Sequence, residues 1–295
     1  MSAIHLSKFE YFEPTSIAET AALLAEHGDR ARVLAGGVDL LPRMRTGSIE
    51  ADCLVNIQNV DGLDAISFAD DGLYFGAMAK LYDLDVSSGL KGGYPILQEA
   101  IHQITSVQTK TMGTAIGNIC LATPASDVAV ALMAYDAELL IAGVESERRV
   151  KVGEFYTGYR GTVLKAGEFV TGAFVPKPAQ GAGAAFLNKV RTHADIAKIS
   201  VAAMLVVESG VCVKARIALG AVAPTVVLAK EAECMLLGKQ LTEGLIHAAA
   251  ERAVSCGAPI SDFRSTAEYR SGMIAVLVQR ALEKASEAAG KGAAS

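Results

Sequence analysis

The stretch Met112–Asp127, MGTAIGNICLATPASD, read together with Val33–Leu40, VLAGGVDL, decides how this chain is understood. Both runs put small residues where a backbone must come close to something. Glycine tolerates positive φ and leaves main-chain N–H groups uncovered. Successive uncovered N–H groups form a concavity that suits phosphate oxygens. Two such loops, far apart in sequence, point to one ligand with two phosphates held between them. Thr114 adds a hydroxyl, Asn118 an amide, and Gly113 and Gly117 exposed backbone. Asp127 follows closely and is placed to accept hydrogen bonds from ribose hydroxyls or to fix a loop. Ordinary tight turns in a glycine-rich chain produce the same pattern. A Rossmann site is excluded, because GxGxxG is absent and no helix is expected directly after Gly36-Gly37. A P-loop is excluded too, because the second run lacks the Walker lysine.

Bulk properties narrow the class. The chain has 295 residues and is 51% hydrophobic, which is ample for a large core in one to three domains. Its net charge of −5 argues against nucleic acid, whose binding needs a concentrated basic surface. No apolar run is long enough for a membrane span. The N-terminus, MSAIHLSKFEYFEP, lacks a basic region followed by an apolar stretch, so no signal peptide is expected and the chain reads as cytoplasmic. Cys53, Cys120, Cys212, Cys234 and Cys256 are odd in number, scattered, and without CxxC spacing. They are expected to be free thiols, unable to hold an iron–sulfur cluster or zinc by themselves. Only Cys120 falls in a candidate ligand loop.

Outward from the two loops, the pattern alternates helix and strand. Ser16–Gly28 reads as a helix, with Ser16 and Glu19 at capping-box spacing and Gly28 as its stop. Arg32–Ala35, Cys53–Ile57 and Leu73–Gly76 read as strands, with Asp61–Asp71 as turns. Leu81–Ser87, Tyr94–Ile104 and Asp127–Asp136 read as helices, which puts His102 in or near the core. Glu138–Ala142 and Phe169–Val175 are further strands, with Gly153–Tyr159 a loop or short helix between them. Lys177–Gly183, KPAQGAG, is the linker candidate. Beyond it, Ile199–Glu208 and Val211–Gly220 flank Ser209-Gly210 as a hairpin. Ala229–Leu237 and Thr242–Ser255 read as helices. Ser265 and Glu268 repeat the capping spacing before a helix reaching about Ala285, and the tail EAAGKGAAS is expected to fray.

VLAGGVDLLPRMR, MGTAIGNICLATPASD, GYRGTVL, FLNKVRTHADIAKISVA and TAEYR occur in this order. With them the chain resembles the FAD-binding medium subunits of molybdenum hydroxylases, the xanthine dehydrogenase and carbon monoxide dehydrogenase type, from about Phe9 to Leu282. The resemblance implies an α+β protein. A two-part FAD-binding domain of the vanillyl-alcohol-oxidase (PCMH) type would occupy residues 1–177. A smaller C-terminal α+β domain would follow at 178–288, then a tail at 289–295. It implies FAD contacts from Val33, Leu34, Ala35, Gly36, Gly37, Val38, Asp39 and Leu40 in the first loop. Thr114, Ile116, Gly117 and Asn118 would form the second. Asp127 would lie near the adenosine end, Val170 would line the site, Lys189 would lie near the flavin ring, and Ile104 would stand where relatives carry an aromatic. Many relatives read GTIGGN where this chain has Gly113-Thr-Ala-Ile-Gly117-Asn118. Ile116 cannot readily adopt positive φ, so a different local shape is expected there. Lys110-Thr111 also stands where Arg-Asn is common.

The resemblance further implies a division of labour. A large molybdopterin-binding partner would hydroxylate the substrate, and a small partner would carry [2Fe–2S] clusters. This chain would pass electrons through FAD to an external acceptor, NAD being one candidate. No catalytic base is required of it. Tyr159 and Arg160 in GYRGTVL fit either a place near the flavin or the domain boundary. His193 and Asp195 in RTHADIA resemble a catalytic pair but read better as surface neighbours. Two other readings stay open: a stand-alone flavin oxidoreductase, and a flavin-free structural subunit hinted at by Ile116.

Overall fold

A computed structural model describes residues 8–104, 106–192 and 195–292 of the chain. The first unit runs β1 (Glu10–Phe12), α1 (Ile17–His27), β2 (Ala31–Leu34), α2 (Leu40–Arg45) and β3 (Cys53–Asn56). Its sheet has the order β1-β3-β2 with both pairs parallel. Parallel neighbours need crossovers rather than hairpins, and the helices supply them. Central β3 is buried along its whole length. Ser16 caps α1 by accepting from the Glu19 amide at 3.2 Å, while the Glu19 carboxylate reaches back to the Thr15 amide at 2.9 Å. Gly28 ends the helix at φ +52°. Helix α2 corrects the expectation that none begins near Gly36-Gly37. It escapes sequence signals because it is six residues long, its N-cap Asp39 makes no side-chain capping bond, and Pro42 sits in its first turn.

The second unit begins with β4 (Ile66–Phe68) and β5 (Gly72–Gly76). A helical run follows: α3 (Leu81–Val86), α4 (Ser88–Gly93), α5 (Pro95–His102), α6 (Val107–Met112), α7 (Ala115–Cys120) and α8 (Asp127–Ala134). It closes with β6 (Glu138–Ala142), β7 (Glu147–Lys151), α9 (Val152–Phe155), the hairpin β8 (Tyr156–Gly158) and β9 (Gly161–Thr162), and β10 (Phe169–Pro176). The main sheet has the antiparallel order β4-β5-β10-β6-β7. Strand β4 lies inside the segment read as turns, since three residues pairing at a sheet edge leave no alternation to detect. Helix α8 is buried at every position after Asp127, which is why it is apolar all round rather than amphipathic. His102 is exposed, with 63% of its side chain accessible, so its expected core position is wrong. Its ring faces Asp85, whose carboxylate is shared with the buried Lys110.

The third unit runs β11 (Gly183–Lys189), β12 (Ile199–Glu208), β13 (Val211–Gly220), β14 (Val227–Leu228), α10 (Lys230–Leu236), α11 (Glu243–Ala253) and α12 (Ala267–Gly292). The sheet is antiparallel in chain order. Ser209 and Gly210 turn the β12–β13 hairpin at φ +49° and +80°, the two left-handed residues a tight hairpin needs. Strand β12 is apolar without alternation because both faces are covered. Ile199, Val201, Ala203 and Leu205 pack in a core with α10–α12, whereas Ala202 and Met204 join the core of the second unit. Helix α12 departs from expectation at both ends. Thr266, not Ser265, accepts from the Tyr269 amide, and the helix continues past Ala285 through most of the supposed tail. Ala289 is buried there.

Strand and helix meet backbone to backbone at Gly183. A Cβ there would lie 1.8 Å from the Ala285 carbonyl oxygen and 2.5 Å from the Ala289 nitrogen. Gly183→Ala is expected to cost about 1–3 kcal/mol through overpacking. Gly290→Ala, which meets open space in the same helix, is expected to be neutral or to gain up to about 1 kcal/mol. Urea denaturation of the full chain checks both; equal losses would contradict the helix running to Gly292.

Candidate functional site

A cavity of about 840 Å³ lies between the first and second units. That size suits a cofactor. Its walls come from β2 through the start of α2, from the end of α6 through α7, and from the β8–β9 hairpin through the start of β10. Val33, Ala35, Ile57, Ile116, Leu164 and Val170 supply apolar surface, and Thr114 and Asn118 supply polar groups.

The loop after β2 is the distinctive wall. Gly36 brings its backbone against the second wall, where a Cβ would fall 2.0 Å from the Met112 carbonyl oxygen. Gly37 takes φ +68°, a left-handed conformation that side chains resist. Among the described residues, the amides of Gly36, Gly37, Val38, Asp39 and Leu40 have no acceptor in the protein; pairing resumes at Leu41, which donates to Gly37. Unpaired N–H donors in sequence form an anion cradle.

The second wall differs from its reading as a glycine loop. Thr114 is an N-cap, and Ala115–Cys120 is helical, so Ile116 sits buried in α7 with no demand for positive φ. The amides expected to be exposed are mostly used. Gly113 donates to Thr109 at 2.7 Å, Ala115 to Ala79 at 3.3 Å, and Gly117 to the Thr114 hydroxyl at 3.0 Å. Asn118 gives its side-chain oxygen to the Ser126 hydroxyl. Cys120 lines the cavity, but burial pushes its thiol up to about 12, which keeps it a neutral packing group.

The third wall was foreseen only at Val170 and, as one of two alternatives, at Arg160. Gly167, at φ +80°, approaches α1 so closely that a Cβ would lie 2.9 Å from Ala25 Cβ. Glu168 is gripped by both arms of the Arg148 guanidinium, at 2.9 and 2.8 Å, which holds its carboxyl below the usual range. The same Arg148 donates to the Val163 carbonyl at 3.0 Å. Arg160 lines the cavity at the hairpin tip with φ +59°, its amide tied to Ala122, whereas Tyr159 is exposed. Arg32, Arg43 and Lys165 are the remaining cavity cations. Arg43 was legible in LPRMR, just past the point where the glycine reading stops.

Of the residues expected to form the site, Val33, Ala35, Gly36, Gly37, Val38, Asp39, Leu40, Thr114, Ile116, Gly117, Asn118 and Val170 line this one cavity. Leu34 points the other way, into a cluster with Met44 and Leu54. Ile104 packs against the main core. Lys189 is exposed and borders a separate cleft of about 570 Å³ between β11 and α12. Asp195 pairs with Arg191 at 3.3 Å, and His193 lies outside the described residues. Asp127 is absent from the cavity wall. It reaches the third unit instead, where its Oδ2 accepts from Asn188 at 3.3 Å. Its Oδ1 and the Ser200 hydroxyl are buried without a partner among the described residues. No group of three or more His, Cys, Asp or Glu able to hold a metal occurs among the described residues, and no helix there is long and apolar enough to cross a membrane.

Comparison with known proteins bears on what this cavity holds. Residues 7–178 match the family described as the FAD binding domain in molybdopterin dehydrogenase, and residues 184–285 the CO dehydrogenase flavoprotein C-terminal domain. The carbon monoxide dehydrogenase medium chain of Afipia carboxidovorans is 34% identical over 94% of this chain and 96% of its own. The xanthine dehydrogenase FAD-binding subunit of Escherichia coli O157:H7 is 29% identical over 95% and 97%. A structure of carbon monoxide dehydrogenase from Hydrogenophaga pseudoflava, lacking the Mo-pyranopterin moiety, superimposes with a TM-score of 0.93 at 33% identity, covering 96% of this chain and 99% of that one.

Asp127 generates a prediction of its own. Burial pushes its carboxyl up to about 6 from 3.8, against the opposing pull of the Asn188 amide. A carboxyl raised in the folded state adds stability that is complete below pH 4 and lost as pH rises through 6. Asp127→Asn is therefore expected to stabilise the flavin-free chain by about 1–3 kcal/mol at pH 8 and to change little near pH 4. Thermal melts across that range check the sign.

Proposed function

The chain belongs to the FAD-binding medium chains of the carbon monoxide dehydrogenase and xanthine dehydrogenase type, and we propose that it relays electrons within such an enzyme. It is an oxidoreductase subunit with FAD as cofactor. The single observation that carries the cofactor reading is the run of unpaired amides from Gly36 to Leu40 on the cavity wall. A dinucleotide diphosphate is the chemistry that satisfies it.

FAD supplies the capacity to take electrons singly and give them up as a pair. The residues of this chain bind, orient and shield it. The loop amides would hold the diphosphate, and Val33, Ala35, Ile116 and Val170 would exclude water. The free amide nitrogen of Asn118 and the hydroxyl of Thr114 would meet polar atoms. Lys189, on its separate cleft, stands outside this contact set. The placement of Ile116 inside α7 removes the local reason for suspecting a flavin-free subunit.

The electron donor would be a [2Fe–2S] small subunit fed by a molybdopterin-binding large subunit. The acceptor would be external, NAD among the candidates. The unit boundary is proposed between residues 177 and 178, in the segment joining β10 to β11, and the compartment as the cytoplasm.

The purified full chain is expected to be yellow, to release FAD on denaturation, and to co-purify with a molybdenum subunit and an iron–sulfur subunit when the three are expressed together. A colourless chain after expression with excess riboflavin contradicts the cofactor reading. Gly37→Ala, strained at φ +68°, is expected to lose most of its flavin while keeping its fold by circular dichroism.

A further inference from the structure

We propose that Arg43 is the formal positive charge of the diphosphate site, held in reserve by Asp39 and handed to the phosphate when the dinucleotide binds. The inference rests on the FAD reading above and adds a residue and a switch to it. The amides of Gly36–Leu40 carry only partial charges, whereas a diphosphate brings full ones. Arg43 lies on α2, one turn beyond Asp39, and both line the same cavity. Its guanidinium donates to Asp39 Oδ2 at 3.1 Å. Arg43 Nε is buried with no partner among the described residues. The guanidinium is thus incompletely satisfied where it stands, beside a row of equally unsatisfied amides.

The other cavity cations are differently placed. Arg32 spends its Nη1 on the Asp29 and Ala31 carbonyls, at 2.6 and 2.7 Å. Arg160 lies over the Tyr159 ring at 5.3 Å, and Lys165 sits on the third wall beside Glu168. Asp39 is the awkward group, since a carboxylate beside a phosphate cradle repels the ligand. Pairing with Arg43 neutralises it. An ion pair this exposed, with 44% of the Asp39 side chain accessible, is weak and easily exchanged. Guanidinium binds phosphate more strongly than a rim carboxylate, through two parallel donors.

A merely structural role, a side-chain pair along α2, makes different predictions. The test uses the flavin-stripped full chain, titrated with FAD at several salt concentrations, beside Arg43→Gln, Arg43→Lys and Asp39→Asn. Arg43→Gln is expected to weaken FAD about ten- to hundredfold, the loss of one charged hydrogen bond, and to flatten the salt dependence. Arg43→Lys should recover part of the affinity. Asp39→Asn should bind FAD more tightly than the parent, with the salt dependence kept. The proposal is overturned if Arg43→Gln keeps parental affinity and salt slope. It is also overturned if the variant loses affinity only in step with a lower melting temperature and an unchanged slope, or if Asp39→Asn weakens FAD as much as Arg43→Gln does. If the parent chain itself takes up no FAD, the cofactor reading fails first, and that result is distinct from failure of a variant alone.

Discussion

The whole arrangement depends on one contact between two stretches of backbone. The Gly36 Cα lies so near the Met112 carbonyl that any side chain would collide with it. A second approach of the same kind, Gly167 against Ala25, joins the third wall to α1. These contacts bring the parallel three-stranded unit and the antiparallel five-stranded unit together at their rims and leave a cavity between them. Close-packed interiors tolerate little extra volume at such points. The same loop that makes the contact leaves five successive N–H groups on the cavity wall without an acceptor among the described residues. Structure and binding capacity arise from one constraint.

The third unit is tied to that cavity by polar groups as well as by apolar packing. Gly220 lets α8 settle on β13, since a Cβ there would meet Ser200 Oγ at 2.4 Å and Val130 Cγ2 at 2.6 Å. At the start of α8, Ser126 reaches Asn118 on the cavity wall, and its neighbour Asp127 reaches Asn188 on β11. At the other end of α8, Asp136 binds both Lys151 and Arg216, the latter on β13. Both ends of one buried helix therefore carry charges that cross between units. Burying charge is expensive, and the raised carboxyl of Asp127 records that cost. The gain is a fixed position for the wall that α7 and α8 support.

Much of the fold was legible in the residues. Ser16 with Glu19 and Gly28 bracket α1, and Ser209-Gly210 marks the β12–β13 hairpin, because caps and tight turns act through neighbours in sequence. Strand β4 and helix α2 were not, because three paired residues and six helical ones are too short to leave a period in the sequence. The site divides in the same way. Both glycine runs identify walls of one cavity, yet they contribute unequally. Thr109, Ala79 and Thr114 consume most amides of the second, whereas the first keeps five in succession without an acceptor among the described residues.

Local sequence alone marked the cap at Ser16, the turn at Ser209-Gly210 and the close approach at Gly36, since glycine and capping side chains act on their own φ and ψ. It also carried the family, through motifs whose order survives from the first loop to α12. Only the tertiary structure decided which amides remain unpaired, which way Leu34 and Val33 diverge from adjacent positions, and that Asp127 faces the third unit rather than the cavity. Those outcomes turn on acceptors and surfaces contributed by residues distant in sequence, and a hydrogen bond is lost or kept over a few tenths of an ångström that no residue specifies by itself.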